Sequence, residues 1–422
     1  MSDRPTVLVL HSGHSNDLVY QEGLASGFAP LGCDVIGVSV RDDRARDTAI
    51  AAVLEQPEAF LCIVSISFYG MQLEVGDKPL HEVTSVPLVM WLFDHPAIFR
   101  NTANDVLPAN ADNVVLGALD QAHIDYWHKY ISAASPAVEL NLGIGKHPSL
   151  PRLPVDLDGY MKREKVAVLP VNLTHFSMNL DSTAQKIQLL SPILAKLVWQ
   201  AIESSVRDLT MPPFRAVEAA ALDRAVELDK TDQATLTMLV DAYVKLWRRQ
   251  FVTRQLVDLP VRFHGEGFPE FDKLGRRRKF GTMTMPALFD EYRSARIVIN
   301  LGPAFPRYVH ERVMHGIDAG AAVMTDLNPG VAETFVDGEE IIGFDLSDGD
   351  AAAKLTDWLE RPEDAFRTME AARRKMDAID IHGENARRLL STITKLRPRA
   401  GARPARRGHA GPAPPSKLMA GR

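Results

Sequence analysis

The amino-acid sequence predicts an α/β protein of two doubly wound domains facing a cleft, with a helical insertion in the second domain. Three observations carry this expectation. Short, β-rich apolar runs recur along the first 145 or so residues. Their starts lie about 24 to 28 residues apart, the length of a strand plus a crossover helix. A break at His147–Gly159, HPSLPRLPVDLDG, separates them from a second set of runs. Inside that second set, a stretch from about Asp181 to Leu256 has a helical period.

The first domain, residues 1–150, is expected to hold six strands. These are Val7–Leu10, Val35–Val40, Leu61–Ser67, Leu88–Phe93, Asn113–Leu116 and Val138–Leu142. Their apolar runs are continuous, as in parallel strands covered on both faces. Helices such as Asp17–Pro30 and Asp120–Ala134 fill the gaps. The second domain, residues 151–396, takes Val166–Val171, Val261–His264, Ile297–Leu301, Ala321–Thr325 and Ile341–Phe344 as strands. Its helical insertion, about 181–256, places Leu189, Leu190, Ile193, Leu194, Leu197 and Val198 at helical spacing. Met211–Pro212–Pro213 breaks the insertion, which resumes as far as Trp247 and beyond. Trp199 and Trp247 are expected to pack these helices. Ala352–Leu359, Pro362–Ile379 and Gly383–Leu396 close the fold.

Composition narrows the class. The chain has 422 residues, 46% hydrophobic and 24% charged, so it can bury a large core and is neither collagenous, rod-like nor wholly disordered. Two cysteines, Cys33 and Cys62, exclude a disulfide scaffold and a four-cysteine zinc site. No apolar run reaches 18 residues, so no membrane-spanning helix is expected. Val7–Leu10 is too short for the core of a signal peptide, and a cytoplasmic protein is expected. The net charge is −6, yet from Lys395 onward there are eight basic and no acidic residues, leaving −14 for the remainder. The acidic body has no footprint for nucleic acid. The tail, 397–422, is rich in Pro, Gly, Ala and Arg and is expected to be disordered. It serves either for solubility or as a tether to an acidic partner or membrane.

Ligands on doubly wound sheets bind at the carboxyl ends of the strands, so the strand-end loops are where chemistry belongs. The first loop, HSGHSND (His11–Asp17), lacks the GxGxxG fingerprint of a dinucleotide site, which weakens an oxidoreductase reading. Its helix is expected to be capped by Ser15, Asn16 or Asp17. The fourth loop is DHPAIFR (Asp94–Arg100). With the strand order 3-2-1-4-5-6, strands one and four are neighbours, and His11, His14, Asp94 and His95 converge. An imidazole held by a carboxylate is a usable general base. The structural alternative is that Asp94 caps a helix and the histidines satisfy loop carbonyls. In the second domain, Gly302–Pro303 ends a strand, and a helix is expected from near Arg307 or Tyr308. That helix start suits a diphosphate, with Arg307 and Arg312 adding charge-assisted bonds. Arg312 could instead pair with Glu311 or a neighbouring carboxylate. The run GRRRK (Gly275–Lys279) reads as a solvated loop or as a lure for an anionic acceptor.

These residues carry a resemblance. Asn300–Leu301, His310–Glu311–Arg312–Val313, Ala319–Gly320, Thr325–Asp326, Glu333 and Gly338–Glu339–Glu340 resemble the donor-binding region of GT-B glycosyltransferases. The likeness is greatest to the CgeB-like (spore-maturation-protein-like) group. Upstream, RFHGEGFPEF (Arg262–Phe271) is similar to that group's strand and turn. The resemblance spans about Val261 to Phe344. It implies two Rossmann-like domains, a nucleotide-sugar donor on the second and an acceptor of unread identity on the first. It implies Asn172, Arg262, His264, Gly265, Arg307, Glu311, Arg312 and His315 as donor-binding residues, with Thr174 and His175 as further polar candidates. It implies no bound metal and no cofactor, the nucleotide sugar being a substrate. Arg307 and His315 stand where the family commonly places acidic residues. An inverting reaction would call on Asp94 with His11 or His14 as base, and a retaining one on no such base. A catalytically silent nucleotide-sugar-binding or scaffold protein is the alternative, and an epimerase on the same scaffold stays open.

Overall fold

The computed structural model describes residues 4–99, 113–142, 150–175, 178–267, 281 and 283–396. The basic run 275–279 and the tail 397–422 lie outside these residues. Two parallel sheets organise the chain. The first contains β1 (Thr6–His11), β2 (Asp34–Ser39) and β3 (Phe60–Ile66). A small antiparallel hairpin follows, formed by β4 (Glu74–Val75) and β5 (Lys78–Pro79). β6 (Leu88–Leu92), β7 (Val114–Ala118) and β8 (Ala137–Glu139) complete the first sheet, in the order β2-β1-β3-β6-β7-β8. The second sheet contains β9 (Glu164–Pro170), β10 (Val261–His264), β11 (Ala295–Asn300), β12 (Ala322–Asp326) and β13 (Ile342–Phe344). Its order is β10-β9-β11-β12-β13.

The first sheet departs from the expected order. β3 lies between β1 and β6, with Val7 opposite Cys62 and Ile63 opposite Leu88. The strands that end at His11 and before Asp94 are therefore not neighbours. The reason is in the residues. β3 reads FLCIVSI and is buried at all seven positions, so it belongs where both faces and both edges are covered. β2 reads DVIGVS, begins with a charge and leaves Ile36 half-exposed, so it tolerates the edge.

The insertion is four helices, Leu180–Gln188, Pro192–Arg207, Pro213–Asp223 and Lys230–Leu256. Each start is written in the sequence. Asn179 and Ser182 form a reciprocal capping box, prolines open the second and third helices, and Asp229 accepts from the amides of Thr231 and Asp232. Leu197, Ala201, Val217, Leu236 and Val240 give the insertion its own apolar core. Trp199 meets Tyr243 edge-on and Trp247 stacks on Phe251, so both tryptophans pack helices as expected. The fourth helix has 27 residues and is about 40 Å long. It ends in the core of the second sheet through Val252 and Leu256, and along its length it packs on the turn Pro96–Phe99 of the first domain.

The last helix, Ile381–Leu396, crosses back to the first domain and packs against the helix Ser15–Phe28. Ala386, Leu389 and Ile393 join one core with Val19, Leu24 and Phe28. Asn385 exchanges two hydrogen bonds with the backbone of Asn141, at 3.0 and 2.7 Å. The helices approach so closely that a Cβ on Gly27 would collide with the His382 carbonyl. Among the described residues no helix is long and apolar enough to cross a membrane.

Gly27→Ala tests this close approach. Alanine favours a helix intrinsically, but forced overpacking costs about 1–3 kcal/mol. Urea unfolding is expected to show the variant less stable than the wild type. Equal or greater stability would mean that the last helix does not dock as described.

Candidate functional site

The second sheet ends in a cavity of about 230 Å³ lined by Asn172, His264, Gly265, Glu311, Arg312 and His315, with Met283, Met285 and Leu288 on one side and Asn16 reaching in from the first domain. β9 and β10 build one wall. The amide of Val171 donates to the His264 carbonyl at 2.7 Å, and the amide of Leu173 donates to that of Glu266. Gly265, at φ 143°, lies so close to the Val171 carbonyl that any side chain would collide with it. Asn172 Oδ1 accepts from the Glu266 amide at 3.1 Å and fixes the turn.

The other wall is the helix Glu311–Asp318. It starts later than the sequence suggests. Residues 301–309 instead bury Phe305 and Tyr308 against the first domain, and Asp120 Oδ2 accepts from the Arg307 amide at 2.8 Å. His310 is the N-cap, its Nδ1 accepting from the Arg312 amide at 3.2 Å. Burial, followed by the nearby Arg312 and Arg249, holds His310 well below the ordinary histidine range, so the ring is neutral and able to accept. One helix-start amide is therefore already used, and the positive charge at the cavity comes from the Arg312 side chain. Arg312 does not pair with Glu311. Its Nη1 is buried and has no hydrogen-bond partner among the described residues, while Glu311 accepts from the Tyr308 hydroxyl at 2.8 Å. A buried guanidinium nitrogen without an acceptor is costly unless a ligand supplies one. His315 is fully buried at the cavity lining.

Two expected donor residues do not face the cavity. Arg262 is held by Glu291 at 3.1 Å, Glu164 at 3.4 Å and the Ser294 hydroxyl at 2.6 Å. It shares Glu291 with His264, two residues on along the same strand face, and only His264 reaches the carboxyl end. Arg307 is exposed, pairs with Glu333 and lines a separate hollow with Glu139 and Asn141. Sequence reading missed Arg249. It lies on the long helix and donates to the Asn172 carbonyl at 2.9 Å. Burial, then Arg312, lowers it to about 10, which leaves it charged.

The expected first-domain cluster does not form. No hydrogen bond or ion pair joins His11 or His14 to Asp94 or His95 among the described residues. His11 is buried, with Nδ1 accepting from the Gly13 amide, and burial lowers its pKa against the opposing charge of Asp17. His14, not Ser15, Asn16 or Asp17, is the N-cap residue; it is exposed, with Nε2 3.4 Å from Arg41. Asp17 instead accepts from the amide and hydroxyl of Ser12. His95 is turned into the core beside Tyr126 and His123, and Nδ1 accepts from the Ala97 amide at 3.1 Å. Burial first, then Lys245, pushes it down to about 3, so it is a neutral packing residue and not a base. Asp94 caps nothing. Its Oδ1 lies 3.3 Å from Lys245 Nζ of the long helix.

With this geometry the molecule is defined as a two-domain α/β protein of the GT-B fold. Residues 248–390 match the family model described as glycosyl transferase-like. Three solved structures are similar over nearly their whole length. Sucrose-phosphate synthase from Thermosynechococcus elongatus aligns at a TM-score of 0.51 and 12% identity, covering 93% of this chain and 99% of that one. Anabaena HepE in complex with UDP and glucose aligns at 0.50 and 11%, covering 93% and 100%. An alpha-glucosyltransferase in complex with UDP-glucose and abasic DNA aligns at 0.52 and 9%, covering 93% and 99%. No curated protein sequence matches the chain.

The buried histidines give the fold a pH dependence. His123, like His95, is held far below 6.5, chiefly by burial. Below pH 6.5 the unfolded chain binds protons that the folded chain refuses, so stability falls as pH drops toward about 3. Each such histidine contributes about 1.4 kcal/mol per pH unit at most. Urea unfolding at pH 7 and pH 5 is expected to show this fall, and His123→Leu to reduce it. An unchanged slope in His123→Leu would show that His123 is not held neutral.

Proposed function

We propose that the protein is a glycosyltransferase that moves a sugar from a nucleotide-sugar donor to an acceptor. One observation carries the reading: a cavity at the carboxyl ends of the second sheet into which Arg312 brings a buried guanidinium nitrogen that has no partner among the described residues. The diphosphate would accept from Arg312 in the cavity that Gly265 and His264 also line. Met283, Met285 and Leu288 offer an apolar wall for the base, and His315 and Asn172 offer polar contacts for ribose and phosphate. The CgeB-like resemblance, the matched family model and the GT-B fold support this assignment. Two of the similar structures were solved with UDP or UDP-glucose, so UDP-glucose is the first donor to test.

In the transfer, the acceptor oxygen bonds to the anomeric carbon while the sugar–phosphate bond breaks and its electrons leave on the diphosphate. Arg312 stabilises that developing charge in a partly dry site, so the reading needs no metal. Asp94, on the first domain, takes the acceptor proton if the reaction inverts. His315 in a commonly acidic position favours a second reading, a nucleotide-sugar-binding protein without turnover.

Calorimetric titration of UDP into Arg312→Ala is expected to show at least a tenfold weaker affinity than wild type, since a charge-assisted bond is worth about 1.5–3 kcal/mol. Hydrolysis of UDP-glucose by the wild type separates the transferase from the silent binder. Unchanged affinity in a folded Arg312→Ala protein would remove the cavity from donor binding.

A further inference from the structure

Lys245 has no place in the sequence reading. It lies midway along the Lys230–Leu256 helix with a side chain only 3% exposed. Its Nζ is 3.5 Å from Asp241 Oδ2, one turn earlier, and 3.3 Å from Asp94 Oδ1, across the domain boundary. It is also 3.5 Å from His175 Nε2 and sits over the Phe305 ring at 5.6 Å. Asp241 is fully buried, and neither of its oxygens makes a hydrogen bond among the described residues. Lys245 therefore has a carboxylate to neutralise on its own helix. The contact with Asp94 is additional, and it ties the first domain to the second.

The same helix turn backs the donor cavity. Arg249, four residues on, donates to the carbonyl of Asn172, which lines the cavity. His175 follows Asn172 in the same loop. Asp94 is thus tied through Lys245 to the helix whose Arg249 holds the Asn172 loop. Its side chain is 33% exposed, and its Oδ2 makes no hydrogen bond among the described residues.

We infer that Lys245 is a positioning residue for the transfer. It holds Asp94 Oδ1 so that Oδ2 is presented to the cleft, where it accepts the hydrogen of the attacking hydroxyl or water. The inference rests on the transferase reading above, in its inverting form. A lysine that merely satisfied Asp241 would affect stability and leave turnover alone; one that aims Asp94 would affect turnover at constant donor binding.

The test is hydrolysis of UDP-glucose, or of whichever sugar nucleotide in a panel the wild-type chain turns over fastest. Lys245→Met alone leaves Asp241 unpaired and can unfold the protein. The double variant Lys245→Met/Asp241→Asn removes both buried charges together and keeps the core neutral. The expected result is a kcat lowered about 100-fold, the loss that follows from misplacing a reacting group by about 1 Å. KM for the donor should stay within about twofold. Adding Asp94→Asn should cost little more, and Lys245→Arg should restore most of the turnover. Wild-type kcat in the double variant would overturn the inference, and so would a further full-sized loss on adding Asp94→Asn. A wild-type chain that turns over no sugar nucleotide would defeat the transferase reading itself, and this inference with it.

Discussion

The arrangement depends on one constraint: cations buried along the Lys230–Leu256 helix must find oxygen partners, and those partners lie on different parts of the molecule. Lys245 meets Asp94 of the first domain. Arg248 donates to the carbonyls of Leu209 and Pro303, linking the insertion to the loop after β11. Arg249 donates to the carbonyl of Asn172 in the loop after β9. An unpaired charge in such surroundings costs several kcal/mol, so each pairing fixes a neighbour in place. One helix thereby sets the position of the first domain's Asp94 and the floor of the cavity together. The shared apolar core and the returning C-terminal helix complete the join between domains.

Much of the fold was legible because parallel strands covered on both faces leave continuous apolar runs. β1, β3, β6 and β7 are buried throughout and stand out in the sequence. The strand order was not legible from spacing, which does not say on which side of β1 a strand docks. The polar start of β2 was the available signal for an edge. The start of the His310 helix was missed because Phe305 and Tyr308 look equally at home in a helix or in a buried loop. Only the docked first domain, through Asp120 and His123, selects the loop.

The site was legible to the level of loops and not of side-chain directions. Asn172, His264, Gly265, Glu311, Arg312 and His315 come together at one cavity. Arg262 and Arg307 belong to the same segments but pair with Glu291 and Glu333 away from the cavity. Lys245 and Arg249 were missed for a different reason. A charged residue in a helical pattern reads as solvated, yet this helix carries Leu239, Val240, Ala242, Val244 and Leu246 around its circumference. A helix apolar on every side is a buried helix, and its cations are then buried with it.

The central claim is that the cavity between β9, β10 and the His310-capped helix is a nucleotide diphosphate site. A crystal structure of the wild-type protein soaked with UDP tests it most directly. The account predicts phosphate density within hydrogen-bond distance of Arg312 Nη1, with the uridine lying toward Met283 and Met285. UDP bound elsewhere, with the Arg312 nitrogen still unpartnered, would contradict it.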